Sequence, residues 1–379
     1  MEPSEIVNNS IQNVSLAAQG IFPSSDSLRQ MVQRKRRRAE IPLPNPSNTM
    51  DLSFTHEQMT YTCDDTTEGF LYADSGQQDP SRILIFGRES WVKILESSPI
   101  CYIDGTFKIT PPLFSQVFVF LGEKLGAVHP ILYALLPDKK QQTYERMFGM
   151  IVDKNPSFRP SQFSCDFEIA VINSLKLVFP NARINGCFFH LSNNLYKKVV
   201  RFNLAILYGN DPNTAMNVKM ILALAFVPIQ HLVLYTEQLK SHLPDNLKCL
   251  MKSFEETYIR KVRNGVQVDV LFPPPIWNLY ERTIEGRART NNAAEAAHRK
   301  LARELGVQHP VIFKFIKSLK FLQKSRDTLL ERLSSGFTPP TKRSKYIDAD
   351  KRILTIVQNF ERRTPIDYLR ALAHNYSIC

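Results

Sequence analysis

The sequence predicts an α/β fold: a mixed five-stranded sheet flanked by helices, with a helical insertion before the last core helix and a helical C-terminal region. Three observations predict it. Three consecutive runs rich in β-branched and aromatic residues, joined by short links, read as an antiparallel meander. Strand and helix patterns then alternate, which signals parallel pairing through crossovers. Beyond His190 apolar residues recur at three- and four-residue spacing to about Tyr280 with few strand signals, so that stretch reads as helical.

Taken in order, residues 1 to about 80 are rich in Ser, Asn, Gln, Asp and Pro and read as an appendage. They carry the run Arg34-Lys35-Arg36-Arg37-Arg38, which closes a short helical pattern from Ser27. Five consecutive cations suit a nuclear import signal or a phosphate-binding patch, against the plainer reading of a solvated helix face. The core begins with a short strand at Ile83–Phe86 and an amphipathic stretch from Ser90 to Glu96. The meander is Cys101–Ile109, Leu113–Leu121 and Ala127–Leu136, punctuated by Pro111-Pro112 and Gly122-Glu123-Lys124. A helix from about Gln142 to Val152, a strand at Gln162–Cys165, a helix at Phe167–Val178 and a strand at Arg183–Cys187 complete the order β-β-β-α-β-α-β. The helical insertion occupies about 195–285, a helix from Asn292 to Leu305 follows, and a long helix runs from Pro310 to about Leu333. A Ser-Ser-Gly-Phe-Thr-Pro-Pro linker then leads to two short terminal helices. The expected divisions are an N-terminal segment 1–80, a core domain 81–310 and a C-terminal region 311–379.

A chain of 379 residues, 43% of them hydrophobic and 22% charged, can bury a sizeable core. Lys and Arg number 48 against 36 Asp and Glu, a net charge of +12. That balance favours polyanionic partners, nucleic acid first, although solubility is an equally ordinary use of the same charge. The six cysteines, Cys63, Cys101, Cys165, Cys187, Cys249 and Cys379, are scattered, and no secretory signal pattern precedes them. A disulfide framework is therefore not expected, and a reducing compartment is. The longest apolar run, Ile221 to Tyr235, is broken by Pro228, Gln230 and His231 and falls short of the roughly 18 residues that suggest a membrane span, so no membrane partner is expected.

Three places carry acids that need explaining. In the first meander strand Tyr102, Asp104 and Thr106 point to one face and Cys101, Ile103 and Gly105 to the other. A carboxylate mid-strand must be paired, metal-bound or at an exposed edge, and taken alone a salt-bridged or turn-facing Asp104 is the better reading. Asp166, in Phe163-Ser164-Cys165-Asp166-Phe167-Glu168, stands where a strand gives way to a helix, a position that suits a helix cap as well as a ligand site. In Arg289-Thr290-Asn291-Asn292-Ala293-Ala294-Glu295-Ala296-Ala297-His298-Arg299, Asn292 can cap the helix with Glu295 reaching back. Helical geometry adds that Ala294, Ala297, Leu301 and Leu305 form one apolar stripe, with Glu295, His298, Arg299 and Asn291 gathered beside it.

Asp-Gly-Thr-Phe (Asp104 to Phe107), Cys-Asp-Phe-Glu (Cys165 to Glu168), Gly-Cys-Phe-Phe-His-Leu (Gly186 to Leu191) and Arg-Thr-Asn-Asn-x-x-Glu-x-x-His (Arg289 to His298) occur in that order. Together they resemble the Mutator-like element (MULE) transposase domain, over roughly Ile83 to the C-terminus. The resemblance implies an RNase H-like fold, consistent with the strand and helix order. It also implies a DDE triad of Asp104, Asp166 and Glu295 that holds two Mg²⁺ or Mn²⁺ ions, cleaves DNA and transfers strands. Hard dications prefer carboxylate oxygen, and a pair of them about 4 Å apart activates the attacking group and stabilises the leaving one. The partners expected are transposon ends and target DNA, the active form a homo-oligomer, and the compartment the nucleus.

Glu168 is the rival third ligand, although a first-turn helix acid explains its place. Cys187 and His190 form a Cys-x-x-His pair, half of a zinc site that Cys249, His231 or His242 could complete in space; a buried thiol beside a hydrogen-bonded imidazole is the better reading. Asn292 and His298 join the auxiliary set. No upstream cluster of cysteines and histidines resembles the DNA-recognition module often joined to such domains. This leaves open a non-catalytic, transposase-derived DNA-binding or regulatory protein, and more weakly a nuclease without strand transfer.

Overall fold

The computed structural model describes residues 46–339 and 344–378, together with Pro23, Ser27, Leu28 and Met31. The run Arg34-Lys35-Arg36-Arg37-Arg38 lies outside the described residues. The chain divides into two compact units, Met1–Pro46 and Ser47–Cys379. In the first, Ser27, Leu28 and Met31 are helical. The second contains the sheet and the three acids of the expected triad. The described residues of 47–80 and 311–378 fall in this second unit with the core.

The sheet has seven strands rather than the five expected: β1 (Leu71–Asp74), β2 (Leu84–Phe86), β3 (Cys101–Thr106), β4 (Gln116–Lys124), β5 (Ala127–Leu136), β6 (Gln162–Cys165) and β7 (Arg183–Gly186). Their order is β1-β2-β5-β4-β3-β6-β7. The meander β3-β4-β5 is antiparallel, β6 and β7 add to the other side of β3 in parallel, and β2 and β1 continue antiparallel beyond β5. Of the two additional strands, β2 is the short strand expected at Ile83–Phe86, here joined to the sheet through β5, and β1 is new. β1 is only four residues, Leu-Tyr-Ala-Asp, inside a polar segment, and its pairing with β2 is a tertiary gain that no local pattern announces.

The helices that matter here are α1 (Val92–Ser97), α2 (Gln141–Lys154), α3 (Ile169–Val178), α4 (Phe188–Arg201), α5 (Pro212–Ala223), α6 (Leu232–His242), α7 (Asp245–Phe254), α8 (Asn292–Leu305), α9 (Ile312–Ser334), α10 (Ser344–Gln358) and α11 (Pro365–Ala373). Strand alternation separates two cores. Cys101, Ile103, Phe118 and Phe120 pack beneath α1, α2 and α3 in a core that runs on into the helices after β7. Tyr102, Val117, Val119, Leu121 and Tyr133 face α8 and α9 on the other side. Asp104 shares the face of Tyr102, so it looks toward α8.

The insertion is mainly helical, as the periodicity predicts, but it also carries a hairpin, Lys261–Arg263 paired with Val266–Val268. Asn264 and Gly265 turn it with φ of 50° and 78°. An Asn-Gly pair flanked by alternating valines is a hairpin signal that helical periodicity on either side obscured. The two terminal helices return to this lobe: α11 packs against α5 and α6, and Tyr368 Oη donates to the Phe226 carbonyl at 2.6 Å.

Candidate active site

β3 lies inside the sheet, with β4 on one side and β6 on the other. In the parallel ladder Cys101 faces Phe163 and Tyr102 faces Ser164. Continued by two residues, that register sets Asp104 beside Asp166, just past the carboxyl end of β6. Asp104 is 7% exposed. Its Oδ2 lies 3.3 Å from His298 Nδ1 on α8. That helix packs across β3 and β5, burying Ala294, Ala297, Leu301 and Leu305 in the stripe that the spacing predicts. The same packing leaves Glu295 and His298 on the side of α8 next to β3.

The loop before α8 is pinned where β3 and β7 end. Asn291, 1% exposed, gives its backbone N–H to Cys187 Sγ at 3.1 Å and its side-chain Nδ2 to the Ile103 carbonyl at 3.1 Å. Phe188 N–H donates to the Arg289 carbonyl at 2.9 Å. Arg282, buried, braces the same corner, with Nη1 on the Gly186 carbonyl at 3.0 Å and Nη2 on the Ala288 carbonyl at 2.7 Å. Arg289 pairs with Asp350 on α10. Asn291 and Arg282 thus hold the Arg289–His298 motif against β3 and against Gly186 and Cys187, roles that residue type and spacing alone do not mark out.

Two local explanations for the acids do not hold. Asn292 is exposed at the first helical position; the cap is Asn291, and no side-chain capping bond forms. The expected capping box is therefore absent, because Asn292 already lies inside the helix. Asp166 is not the cap of α3 either. That helix starts at Ile169 after Glu168, while Asp166 Oδ1 accepts the Glu168 N–H at 3.2 Å. Glu168 is held from another direction: Tyr144 Oη donates to its Oε1 at 2.7 Å and in turn accepts from Gln116 Nε2 at 2.5 Å.

The charges at the site are coupled. Burial pushes the Asp166 carboxyl up to about 6; the positive charge of His190 opposes this, while Glu168 and Asp104 add to it. Burial likewise raises Glu295, with His190 opposing and Asp104 adding to the rise. For His190, burial favours the neutral ring. The hydrogen bond to Cys187 and the negative charges of Cys187, Asp104 and Asp166 outweigh it, and the imidazole is lifted to about 9. All three acids of the expected triad therefore share one electrostatic environment, with His190 among them.

Four buried polar atoms here have no hydrogen-bond partner: His190 Nδ1, Asn291 Oδ1, Glu295 Oε1 and His298 Nε2. Unpaired buried groups beside crowded carboxylates are the chemistry that a hard divalent cation satisfies. Of these atoms Glu295 Oε1 and Asn291 Oδ1 are oxygens of the type such an ion takes, while among the described residues no three His, Cys, Asp or Glu side chains stand grouped as ready-made ligands. Cys187 is taken up by Asn291 and His190. Of its expected zinc partners, Cys249 is exposed and the His231 ring packs 5.3 Å from that of Phe360; His242 closes α6.

Fold and site define a class: a mixed α/β domain with the buried Asp104 and the half-buried Asp166 and Glu295 in one electrostatic environment, beneath a helix that returns from a long insertion. Residues 100–194 match the family model of the MULE transposase domain, and over that stretch the chain carries a domain of this family. The match takes in β3 to β7 and the first half of α4, with Asp104, Asp166, Glu168, Cys187 and His190; Asn292, Glu295 and His298 lie beyond it. It supports an enzyme of nuclease or transposase type that interacts with DNA. No curated protein matches the chain. Among the described residues no helix is long and apolar enough to cross a membrane.

Proposed function

We propose that this protein is a DDE transposase of RNase H-like fold, or a domesticated derivative, in which Asp104, Asp166 and Glu295 hold divalent metal for DNA cleavage and strand transfer. The observation that carries this reading is the coupling of three acids, remote in sequence, around His190 on one side of the sheet. The order β5-β4-β3-β6-β7, antiparallel and then parallel, supports the RNase H-like assignment. Mg²⁺ or Mn²⁺ bound by the three carboxylates would supply Lewis acidity to a phosphodiester and lower the pKa of an attacking hydroxyl. The chain's own residues prepare that site. Asn291 fixes the start of α8 so that Glu295 approaches β3, and Tyr144 holds Glu168 beside Asp166 as a supporting acid. His190 balances the negative charge at the acids. Strand transfer handles two DNA ends, so the reading carries with it a homo-oligomer, and the run Arg34 to Arg38 is proposed to direct nuclear entry.

The test is nicking of supercoiled plasmid by the full chain with Mg²⁺ or Mn²⁺ and with chelator. Asp104→Ala, Asp166→Ala and Glu295→Ala should each lose metal-dependent nicking while keeping the circular dichroism spectrum. Full activity in Glu295→Ala would overturn its assignment and move the role to Glu168. A tagged chain with Arg34, Arg36, Arg37 and Arg38 changed to Ala should stay in the cytoplasm; unchanged nuclear accumulation sinks that part. A second reading, a regulatory DNA-binding protein, is favoured by the pairing of Asp104 with His298. Under it the full chain binds DNA but nicks none in either metal.

A further inference from the structure

The face of the sheet that carries Asp104 has a second polar feature that the acids do not account for. Asp104 faces Val119 on β4, and Val119 faces Tyr133 on β5. The three share one row, so Tyr133 stands two strands away, about 10 Å at the usual strand spacing. Arg326 of α9, 5% exposed, lies over the Tyr133 ring at 5.5 Å. Arg326 Nη1, Arg326 Nη2 and Tyr133 Oη are buried; beyond the contact of this guanidinium with the Tyr133 hydroxyl itself, none of the three atoms has a hydrogen-bond partner. Among the described residues no acid pairs with this guanidinium: its neighbour in sequence, Asp327, is taken by Arg88, Tyr61 and Gln323. A buried cation with no counterion is costly, and proteins rarely keep one without a use.

More positive charge gathers beside it. Lys300 and Arg303 are exposed on α8, the helix that also carries Glu295, and Lys300 follows Glu295 by five residues, about 7.5 Å along the axis. Desolvation holds the Lys300 ammonium below its usual pKa, and the charges of Arg326 and Arg303 lower it further, with Glu304 the acid that opposes them. With Lys300, Arg303 and Arg326 against Glu304, cations and donors outnumber the acid, and a net positive group of donors is the complement of an oxyanion.

We propose that Arg326, Tyr133, Lys300 and Arg303 form a subsite for a backbone phosphodiester of bound DNA, next to the acidic site and on the same face of the sheet. The identity of the anion rests on the transposase-type reading. Arg326 and Tyr133 supply the buried donors, while Lys300 and Arg303, on flexible stems at the surface, close over the phosphate. The subsite would hold a phosphate near the one cut and so register the strand against Asp104.

The experiment is fluorescence anisotropy of a short random-sequence duplex with the full chain, without divalent metal, over a range of salt. Arg326→Met and the double variant Lys300→Ala/Arg303→Ala should each bind at least about tenfold more weakly. For Arg326→Met the slope of log affinity against log salt should become shallower by about one. Arg326→Met should melt no lower than the wild type, since it removes an uncompensated buried charge; a purely structural arginine predicts the reverse. Lys248→Ala, the same charge removed from the lobe, is the control and should lose far less. Should Arg326→Met fail to fold, the exposed double variant decides. Wild-type binding with both variants unchanged, or an equal loss in Lys248→Ala, overturns the subsite alone. A wild-type chain that binds no DNA overturns the transposase-type reading and the subsite with it.

Discussion

Carboxylates withdrawn from water stay charged only where something offsets them. Around Asp104, Asp166 and Glu295 part of that offset comes from His190, whose imidazole is lifted from the usual 6.5 to about 9. His190→Ala should therefore raise the carboxyl pKa of Asp166 and Glu295 further in the metal-free protein, which carboxyl NMR titration reads directly; unchanged values would remove His190 from the cluster. The sign for stability follows. A folded pKa above the unfolded one stabilises fully below about 6.5, and the contribution fades as pH rises toward 9. Asp166, raised to about 6 chiefly by burial, acts in the same sense over a lower window: the fold favours its protonated form, and that advantage is lost between 3.8 and about 6. Urea unfolding at a series of pH values should show the gap between wild type and His190→Ala narrowing from pH 6.5 to 9.

At the scale of elements, the site depends on how closely the ends of β6 and β7 approach. A Cβ at Gly186 would meet Phe167 Cζ at 2.5 Å, and Phe167 is itself packed edge-on against Tyr258 and Phe272, with ring centroids 5.8 and 5.1 Å away. The ring has little room to yield. Gly186→Ala should cost about 1–3 kcal/mol by overpacking and shift the Cys165–Glu168 turn. Thermal melting reads the first effect, and a loss of nicking larger than the loss of folded protein reads the second. Arg88 joins the 60–69 hairpin to α9 by pairing with Glu68 at 2.5 Å and Asp327 at 2.9 Å. Arg88→Ala leaves both acids without their cation, with only Tyr61 and Gln323 on Asp327 and Ser90 on Glu68, and should cost about 3 kcal/mol in chemical denaturation; a loss near zero would mean that these neutral donors suffice.

At the scale of the molecule, the C-terminal helices cover the lobe. Tyr368 donates to the Phe226 carbonyl, Tyr376 Oη to the Lys219 carbonyl at 2.9 Å, and Tyr208 Oη to the Ile378 carbonyl at 3.0 Å. A chain ending at residue 339 would expose Phe226 and Tyr235, so it should melt lower and aggregate, as light scattering during a thermal ramp would record. Much of this architecture was legible locally. β5, β6 and α8 have the bounds that the patterns predict, because a ten-residue apolar run and a stripe at 294, 297, 301 and 305 are set by the chain's own periodicity. The motifs around Asp104 and Asp166 are likewise sequence features, and both lie in the stretch that matches the family. Tertiary structure decided the rest. β1 is a strand only because β2 lies beside it, and Asn291 rather than Asn292 stands at the cap of α8, with its amide on the Ile103 carbonyl. His190 is charged by acids that lie far from it in sequence, and Arg326 is isolated by burial between its own helix α9 and the sheet. Period and propensity act between neighbours in the chain, whereas pairing, burial and Coulomb coupling act between neighbours in space, and these the fold alone supplies.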